Sequence, residues 1–442
     1  MDSVLLFVLG VVIFVIGLAV SIALHELGHL SFAKLFGVKV TQYMIGFGKT
    51  LFSFRRGETE YGVKAIPLGG YIAMIGMFPP KHPGERGRNA STGFYNQIVQ
   101  DARTASAETV TEGDENRAFY RLAPWKRIII MFAGPFMNLV IAVVLFGVIV
   151  TGIGVQQYST TVSTVSQCVL PATSARQTCE ASDPQSPAAA AGIRTGDTIV
   201  SFGGTPVTSW TQMSALIKAA PSKTSALAVE RNGKPVTLAV TPTPSTQYVY
   251  DSQGNITKNA AGKAITRNVG VVGISPGTEL VQQPIGTAFT ATGDNIAAVT
   301  KIVIDLPQRM VGVWNAAFGP TQRAADSPVG IVGVGRLAGD IASSNVIPVI
   351  GKVQTMLSLL ASLNIALFVM NMIPLLPLDG GHILGAAWEW IRSAFAKLFK
   401  RRDPGPVDMA KWMPVTFVVV VVLGAMSVLL AYADIVKPIT LG

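Results

Sequence analysis

Residues 4–29 read VLLFVLGVVIFVIGLAVSIALHELGH, an apolar run that ends in two histidines and a glutamate. Val4 to Leu24 contains no charged residue, and about 20 apolar residues are enough for a helix to cross a bilayer. A cleaved signal peptide is the alternative interpretation. It is not favoured, because Met1-Asp2-Ser3 carries no positive charge and no small-residue cleavage site follows the run. The sequence therefore predicts a retained transmembrane helix.

The end of this run, His25-Glu26-Leu27-Gly28-His29, is a candidate metal site. The chain has only four histidines, and two of them lie here, four residues apart. Positions i and i+4 share one face of a helix, about 6 Å apart, so both imidazoles can reach one metal ion. Glu26 then lies beside the ion, where a carboxylate can take a proton from a bound water.

The composition favours a membrane protein. Of the 442 residues, 49% are hydrophobic and 14% are charged, whereas soluble domains average about 25% charged residues. The net charge of +10 does not indicate nucleic-acid binding, because the basic residues lie between apolar runs and no basic-aromatic reader is present. We therefore expect the lipid bilayer, and no nucleic acid, as a partner.

Four apolar segments predict a polytopic α-helical membrane protein. The predicted transmembrane helices are 1–35, 127–153, 346–391 and 415–434. The segments between them are a polar loop at 36–126, a small α+β domain at 156–245, a loop with a helix at 246–345, and a basic loop at 392–414. The helix, at Ile285 to Phe318, is expected either along the membrane surface or packed against the protein.

The first loop contains β-like runs broken by glycine. Val38 to Phe54 and Tyr61 to Met77 are the two runs, and they predict either a membrane-associated β element or a plain cytosolic hairpin. Pro79 to Tyr120 is rich in glycine, serine, threonine and charge, so its middle is expected to be a mobile loop.

Residues 156–245 have the pattern of a compact α+β domain. Trp210 to Ala220 fits an amphipathic helix, and Ala226 to Val240 fits two strands around the Asn232-Gly233 turn. Beyond this domain, Gly270 to Ser275 can add one strand, and Tyr248 to Asn268 is expected to be an exposed loop.

The distribution of basic residues predicts the orientation. Lysine and arginine are dense in 36–126 and in 392–414, whereas 156–345 is about twice as long as the first of these loops and holds a similar number to it. The positive-inside rule therefore places the first two segments in the cytosol, and the N-terminus and the α+β domain outside it. Cys168 and Cys179 then lie on the oxidising side of the membrane, where they can form a disulfide.

Asp379 is the candidate for a third metal ligand. A catalytic zinc usually has three protein ligands and one open position. Asp379 ends the third apolar segment, which descends toward the membrane depth of His29, and Pro374 and Pro377 would break the helix there. The alternative is a solvated aspartate before a Gly-Gly turn. His82 and His382 are rival ligands, but His82 lies in a polar turn and His382 is better suited to supporting or capping this turn.

These features resemble the site-2 protease family of intramembrane zinc metalloproteases, in its bacterial four-span form with a PDZ domain. The matching pieces are His25 to His29, Gly46-Phe47-Gly48, Gly134-Pro135 with Asn138, the PDZ-like run Ala188 to Val207, and Asn371 to Asp379-Gly380. The resemblance covers most of the chain. It implies that His25, His29 and Asp379 bind Zn²⁺ and that Glu26 is the catalytic acid and base. Where the family often has a second proline, this chain has Leu376, and Pro377 follows it.

The resemblance also implies a function. A family member would hydrolyse peptide bonds inside transmembrane segments in the bacterial inner membrane, as the second cut of regulated intramembrane proteolysis. Anti-sigma factors and signal-peptide remnants are the expected substrates, with the extracytoplasmic PDZ-like domain gating them. Candidate substrate-binding residues are Gly46, Phe47, Gly48, Asn364 and Asn371, although both asparagines can instead bond between helices.

Two other classes of protein stay open at this point. One is a non-catalytic membrane PDZ adaptor with a structural zinc, against which Glu26 argues, because a structural site needs no base. The other is a transporter with a metal in its pathway, which would predict repeated halves, and the sequence shows no internal repeat.

Overall fold

The computed structural model describes residues 2–79, 94–249 and 256–439, apart from positions 172, 173, 175, 177, 260, 261, 325 and 403. The chain divides into two compact units. Unit 1 contains Met1–Ile153 and Pro284–Gly442, and unit 2 contains Gly154–Gln283. Unit 2 is therefore inserted into unit 1 along the chain.

In chain order the elements are α1 (Asp2–Leu35), β1 (Val40–Arg56), β2 (Thr59–Met74), α2 (Phe94–Glu108), α3 (Pro124–Gly147), β3 (Val155–Val165), α4 (Pro187–Ala190), β4 (Thr198–Phe202), β5 (Thr205–Pro206), α5 (Trp210–Lys218), β6 (Ser225–Arg231), β7 (Lys234–Val240), β8 (Thr243–Tyr248), β9 (Thr266–Val271), β10 (Ile274–Val281), α6 (Gly286–Ile304), α7 (Leu306–Phe318), α8 (Ile331–Ser343), α9 (Val349–Asn371), α10 (Asp379–Leu398) and α11 (Met413–Val436). A π-helical segment, Val148–Ile153, continues α3, and a 3-10 turn, Met409–Trp412, precedes α11.

Within the described residues, four helices are long and apolar enough to cross a membrane, as the sequence predicts. They cover Ser3–Leu35, Pro124–Ile153, Val349–Asn371 and Met409–Val436. Only 6% of the most apolar window of the fourth is buried inside the protein, and most of its valines are exposed. Such a surface is stable in lipid and unstable in water.

The helix break that Pro374 and Pro377 predict divides the third apolar segment, 346–391. Helix α9 ends at Asn371 and α10 starts at Asp379, with the irregular segment 372–378 between them. Pro374 and Pro377 supply no backbone N–H to continue the helix. The start of α10 packs closely on this segment, because a Cβ at Gly380 would lie 2.6 Å from the Met372 carbonyl oxygen.

Strands β1 and β2 form an antiparallel ribbon that folds back on itself, because Tyr43 is paired with both Ile72 and Tyr61. The two strands lie within two or three residues of the predicted runs, and the first half of β1 lies between two segments of β2. Gly46 has a φ of 90°, and a Cβ there would lie 2.7 Å from the Ile66 carbonyl oxygen. Only glycine permits this close approach of two backbones.

The expectation of a mobile loop in the middle of 79–120 is wrong for its described part. Residues 94–108 form helix α2, which is tied down by an ion pair between Arg103 and Asp408 and by hydrogen bonds between Ser106 and the Phe78 backbone. Residues 80–93, including the rival ligand His82, lie outside the described residues.

The prediction of a loop with one helix at 246–345 is wrong, because this segment contains α6, α7 and α8, and α8 packs against α1. A Cβ at Gly10 of α1 would lie 2.5 Å from the Ala338 carbonyl oxygen, so the two backbones nearly touch. Phe14, Leu18 and Ile22 of α1 are buried in a core with Ala338 and Met356. This packing fixes the half of α1 that leads into His25.

Unit 2 contains a six-stranded sheet in the order β10-β3-β4-β6-β7, with β5 beside β4, and a two-stranded β8-β9 ribbon. The unit extends to Gln283 and not to the expected 245, because Val281 of β10 pairs with Val155 at the start of β3. Its core includes Ile199, Met213 and Leu227. Cys168 and Cys179 are joined by a disulfide.

Candidate metal centre

Helix α1 carries His25, Glu26 and His29 toward its C-terminal end, and two glycines bring α3 against them. A Cβ at Gly28 would overlap the Ala133 carbonyl of α3, and a Cβ at Gly134 would overlap the His29 ring. Both positions therefore need glycine, because any side chain would push the two helices apart.

Three ligand atoms converge at this place. His25 Nε2 lies 3.2 Å from His29 Nε2, and Asp379 Oδ2 lies 3.5 Å and 3.4 Å from these two nitrogens. For bonds of about 2.0–2.1 Å, the edges of a zinc tetrahedron are about 3.3 Å long. The three separations have this length, so one zinc ion fits between the three atoms.

The outer nitrogens of both imidazoles have partners in α3. His29 Nδ1 lies 2.7 Å from the Ile130 carbonyl oxygen, which can only accept, so Nδ1 carries the proton and Nε2 offers a lone pair. His25 Nδ1 lies 3.1 Å from the Asn138 side-chain amide. The Asn138 oxygen has no partner in this arrangement, and exchanging its O and N would let it accept from Nδ1 and free Nε2 for a metal.

Asp379 reaches the site as the first residue of α10. Its Oδ2 is buried and has no hydrogen-bond partner, although it lies against two imidazole nitrogens. A buried carboxylate oxygen next to two lone pairs is unstable unless a cation is shared among them. This donor set of two imidazoles and one carboxylate suits zinc.

A cavity of about 410 Å³ opens in front of the three ligand atoms. Glu26, Asn371 and His382 line it together with a segment of β2 that includes Gly70 and Tyr71. Glu26 is only 8% exposed and its carboxylate therefore lies in a sheltered place beside the metal position. His382 lies on the wall of the cavity but outside the group of three ligands.

The glycine motif of β1 lies behind this wall. Phe47 stacks on Tyr71 with a ring separation of 6.2 Å, and a Cβ at Gly69 would lie 2.7 Å from the Phe47 ring. Gly46 and Gly48 both have positive φ. These three residues therefore shape the strand that lines the cavity, and they do not line it themselves.

Asn364 and Asn371 lie in different surroundings. Asn371 lines the cavity, whereas Asn364 is fully buried and donates to Ser21 Oγ at 3.0 Å and to the Leu360 carbonyl at 2.8 Å. The contacts of Asn364 support the alternative of a hydrogen bond between the first and third transmembrane helices.

Comparison with known proteins identifies the family. The pattern described as peptidase family M50 matches residues 13–402, which is most of the chain. The chain belongs to peptidase family M50. The zinc metalloprotease Rip1 of Mycobacterium tuberculosis is 34% identical over 440 residues, which cover 99% of this chain and 100% of the relative.

Two further relatives extend this comparison. Rip1 of Mycolicibacterium smegmatis is 32% identical over 452 residues, covering 99% of this chain and 100% of the relative. The metalloprotease MmpA of Caulobacter vibrioides is 29% identical over 385 residues, covering 84% of each chain. The predicted site-2 protease family is thus confirmed, and the protein is an integral membrane metalloprotease that uses zinc. Membership of this family argues against the two other interpretations, a non-catalytic adaptor and a transporter.

Proposed function

We propose that this protein hydrolyses peptide bonds within transmembrane segments of other membrane proteins, with His25, His29 and Asp379 holding the zinc. The observation that carries the proposal is the geometry of the three ligand atoms, 3.2–3.5 Å apart, together with the unpartnered Asp379 Oδ2. Two ligands come from α1, itself one of the four helices able to span the membrane, and the third comes from the start of α10, so a substrate would reach them from the bilayer.

Glu26 is the proposed acid and base. Bound zinc supplies a Lewis acid that makes water easier to deprotonate and a carbonyl easier to attack. Glu26 follows His25 directly and lines the same cavity, so its carboxylate can take the proton from water there and later give it to the leaving amine. Its burial keeps competing solvent away from the proton that it carries.

Segment 69–72 of β2 is the proposed guide for the substrate. It lines the cavity, and a Cβ at Gly70 would lie 3.0 Å from Glu26 Cγ, so its backbone runs directly beside the catalytic carboxylate. A substrate helix has its peptide groups internally bonded and must be extended before attack. Pairing with this strand would hold it extended, with the Asn371 amide available to its backbone.

Unit 2 is the proposed PDZ-like substrate filter, on the extracytoplasmic side of a bacterial inner membrane. The disulfide Cys168–Cys179 supports this side, because such bonds persist in oxidising compartments. The filter would admit proteins already shortened by a first cut, such as anti-sigma factors or signal-peptide remnants. Loops 36–126 and 392–414 would then face the cytosol, in agreement with their basic residues.

The test uses the full-length protein in liposomes with a single-span reporter protein. Glu26→Gln should retain zinc and lose cleavage by on the order of 100- to 10,000-fold, the usual contribution of a general base. Asp379→Ala should lower the zinc content. The control is Glu279→Gln, which changes an exposed carboxylate of unit 2 and should leave both readouts unchanged. Cleavage at the wild-type rate by a zinc-loaded Glu26→Gln variant would refute the proposal.

A further inference from the structure

Helix α10 distributes its side chains in the opposite way from a helix of a soluble protein. The face of α10 that packs on the rest of unit 1 carries small residues, among them Gly381, Gly385 and Ala386. The large apolar residues point outward, and Trp388, Trp390 and Phe395 are each more than half exposed. Exposed side chains of this kind favour contact with lipid, and α10 is not among the four helices long and apolar enough to span, so its pattern fits a helix at the membrane surface.

Positively charged residues lie around a cavity at the C-terminal end of α10. Lys400 has a φ of 52°, which turns the chain back alongside the helix. Arg401 and Arg402 thereby line, together with Arg392, a cavity of about 520 Å³ whose other walls include Phe395 and Phe399. Among the described residues, no carboxylate forms a salt bridge with Arg401 or Arg402. Guanidinium groups in such a setting suit a phosphate.

A second, apolar cavity of about 280 Å³ adjoins the first. Trp388 lines both cavities, so they are neighbours. The second cavity lies between α10 and the start of α11, and its walls include Leu384, Trp412 and the segment Pro374 to Leu376. The pair of cavities therefore offers a cationic place for a headgroup and an apolar place for a hydrocarbon chain.

We propose that these two cavities bind one anionic phospholipid, with its phosphate at Arg392, Arg401 and Arg402 and an acyl chain in the apolar cavity. Charge complementarity selects an anionic lipid, and the exposed tryptophans place α10 at the membrane surface, where such lipids are available. The site is separate from the metal cavity, and its existence does not depend on the proposed peptidase mechanism. The acyl chain contacts Pro374 to Leu376, the segment that leads into Asp379.

The experiment measures lipid binding to the purified full-length protein in non-ionic detergent, by native mass spectrometry. The probes are dioleoyl phosphatidylglycerol, dioleoyl phosphatidylcholine and soluble glycerol phosphate. Phosphatidylglycerol should bind at least tenfold more tightly than either of the others. The triple variant Arg392→Gln, Arg401→Gln, Arg402→Gln should bind it on the order of 100-fold more weakly, at about fivefold for each charge.

Three further variants define the outcome. Replacing the same arginines by lysine keeps the charge and should keep most of the affinity. Lys218→Gln, Lys223→Gln, Lys234→Gln removes an equal charge from exposed positions of unit 2 and should change nothing. Leu384→Trp fills the apolar cavity and should weaken the binding of phosphatidylglycerol, although the three arginines are unchanged. Any one of three results would overturn the proposal. They are equal binding of the two lipids, binding of glycerol phosphate as tight as that of phosphatidylglycerol, and equal losses of phosphatidylglycerol affinity in the two triple glutamine variants.

Discussion

Replacing Gly134 by alanine tests whether α3 positions the metal ligand His29. The three nearest heavy atoms to a Cβ at this position all belong to the His29 ring, and two of them, Cε1 and Cδ2, would lie 2.6 Å and 2.7 Å away. Ordinary carbon contacts are about 3.5–4.0 Å, so either the ring or the helix must move by about 1 Å. Moving α3 away from the ring would open the tight contact between Gly28 and the Ala133 backbone and lose its packing.

The ring is the part that has to yield, and its displacement has a definite cost. It would break the 2.7 Å hydrogen bond from Nδ1 to the Ile130 carbonyl, which is buried. Loss of such a bond costs about 1–3 kcal/mol, and a misplaced metal ligand typically lowers metal affinity by about 10- to 100-fold. Because 1.4 kcal/mol corresponds to a factor of about ten, the two figures agree. Gly134→Ala should therefore bind zinc about 10- to 100-fold more weakly.

The measurement is a competition titration of the purified full-length protein with a zinc chelator in detergent. Gly424→Ala is the matched control, because Gly424 lies in the transmembrane helix α11 and a Cβ there meets nothing within 4 Å. The control should bind zinc like the wild type. Zinc affinity within twofold of the wild type for Gly134→Ala would refute the inference that this glycine sets the position of His29.

Three other predictions follow from the same structure. Asn138→Leu removes the partner of His25 Nδ1 and should lower zinc affinity by about 10- to 100-fold in the same titration; an unchanged affinity would show that Asn138 does not orient the ring. Arg231 holds the pKa of Asp197 in the folded protein below its ordinary value of 3.8. The ion pair therefore stabilises unit 2 fully above pH 4, and this stabilisation is lost as the pH falls through the pKa that Asp197 has in the folded protein. Asp197→Asn should destabilise the unit by about 3 kcal/mol in denaturant titrations at pH 7 and should remove this acid dependence; identical acid sensitivity in the variant would contradict it. Replacing both Cys168 and Cys179 by serine should lower the free energy of unfolding of unit 2 by about 2–3 kcal/mol, because the disulfide closes a short loop. In the wild type, the two thiols should react with a membrane-impermeant reagent added outside the cell only after the disulfide has been reduced.

The sequence predicts those parts of the molecule that depend on local pattern. A run of apolar residues long enough for the bilayer leaves few options, so all four spans can be found from length and hydropathy. The spacing of His25 and His29 follows from helix geometry alone, and the Asn232-Gly233 turn follows from the conformations those residues favour. Each of these inferences needs only neighbours along the chain.

The other parts depend on contacts between distant segments. The role of Gly134 is visible only when α3 lies against His29, and Asn138 points at His25 only in that packing. Gly134 and Asn138 lie four positions apart and therefore share one helix face, which is the signal that the sequence contains. The true end of unit 2 depends on the pairing of β10 with β3, and no local pattern marks that partner. The sequence does not indicate helix α8, because its three glycines resemble those of a loop, and only the fold shows that Gly339 packs on Phe7 of α1.

The insertion of unit 2 into unit 1 has a consequence for the making of the protein. His25, Glu26 and His29 leave the ribosome early, whereas Asp379 follows only after α3, the whole of unit 2 and α9. On the proposed ligand set, a growing chain therefore carries two metal ligands and a base without the third ligand until its translation is nearly complete. The membrane would hold an incomplete and harmless intermediate throughout synthesis, and an interrupted chain could not cut its neighbours.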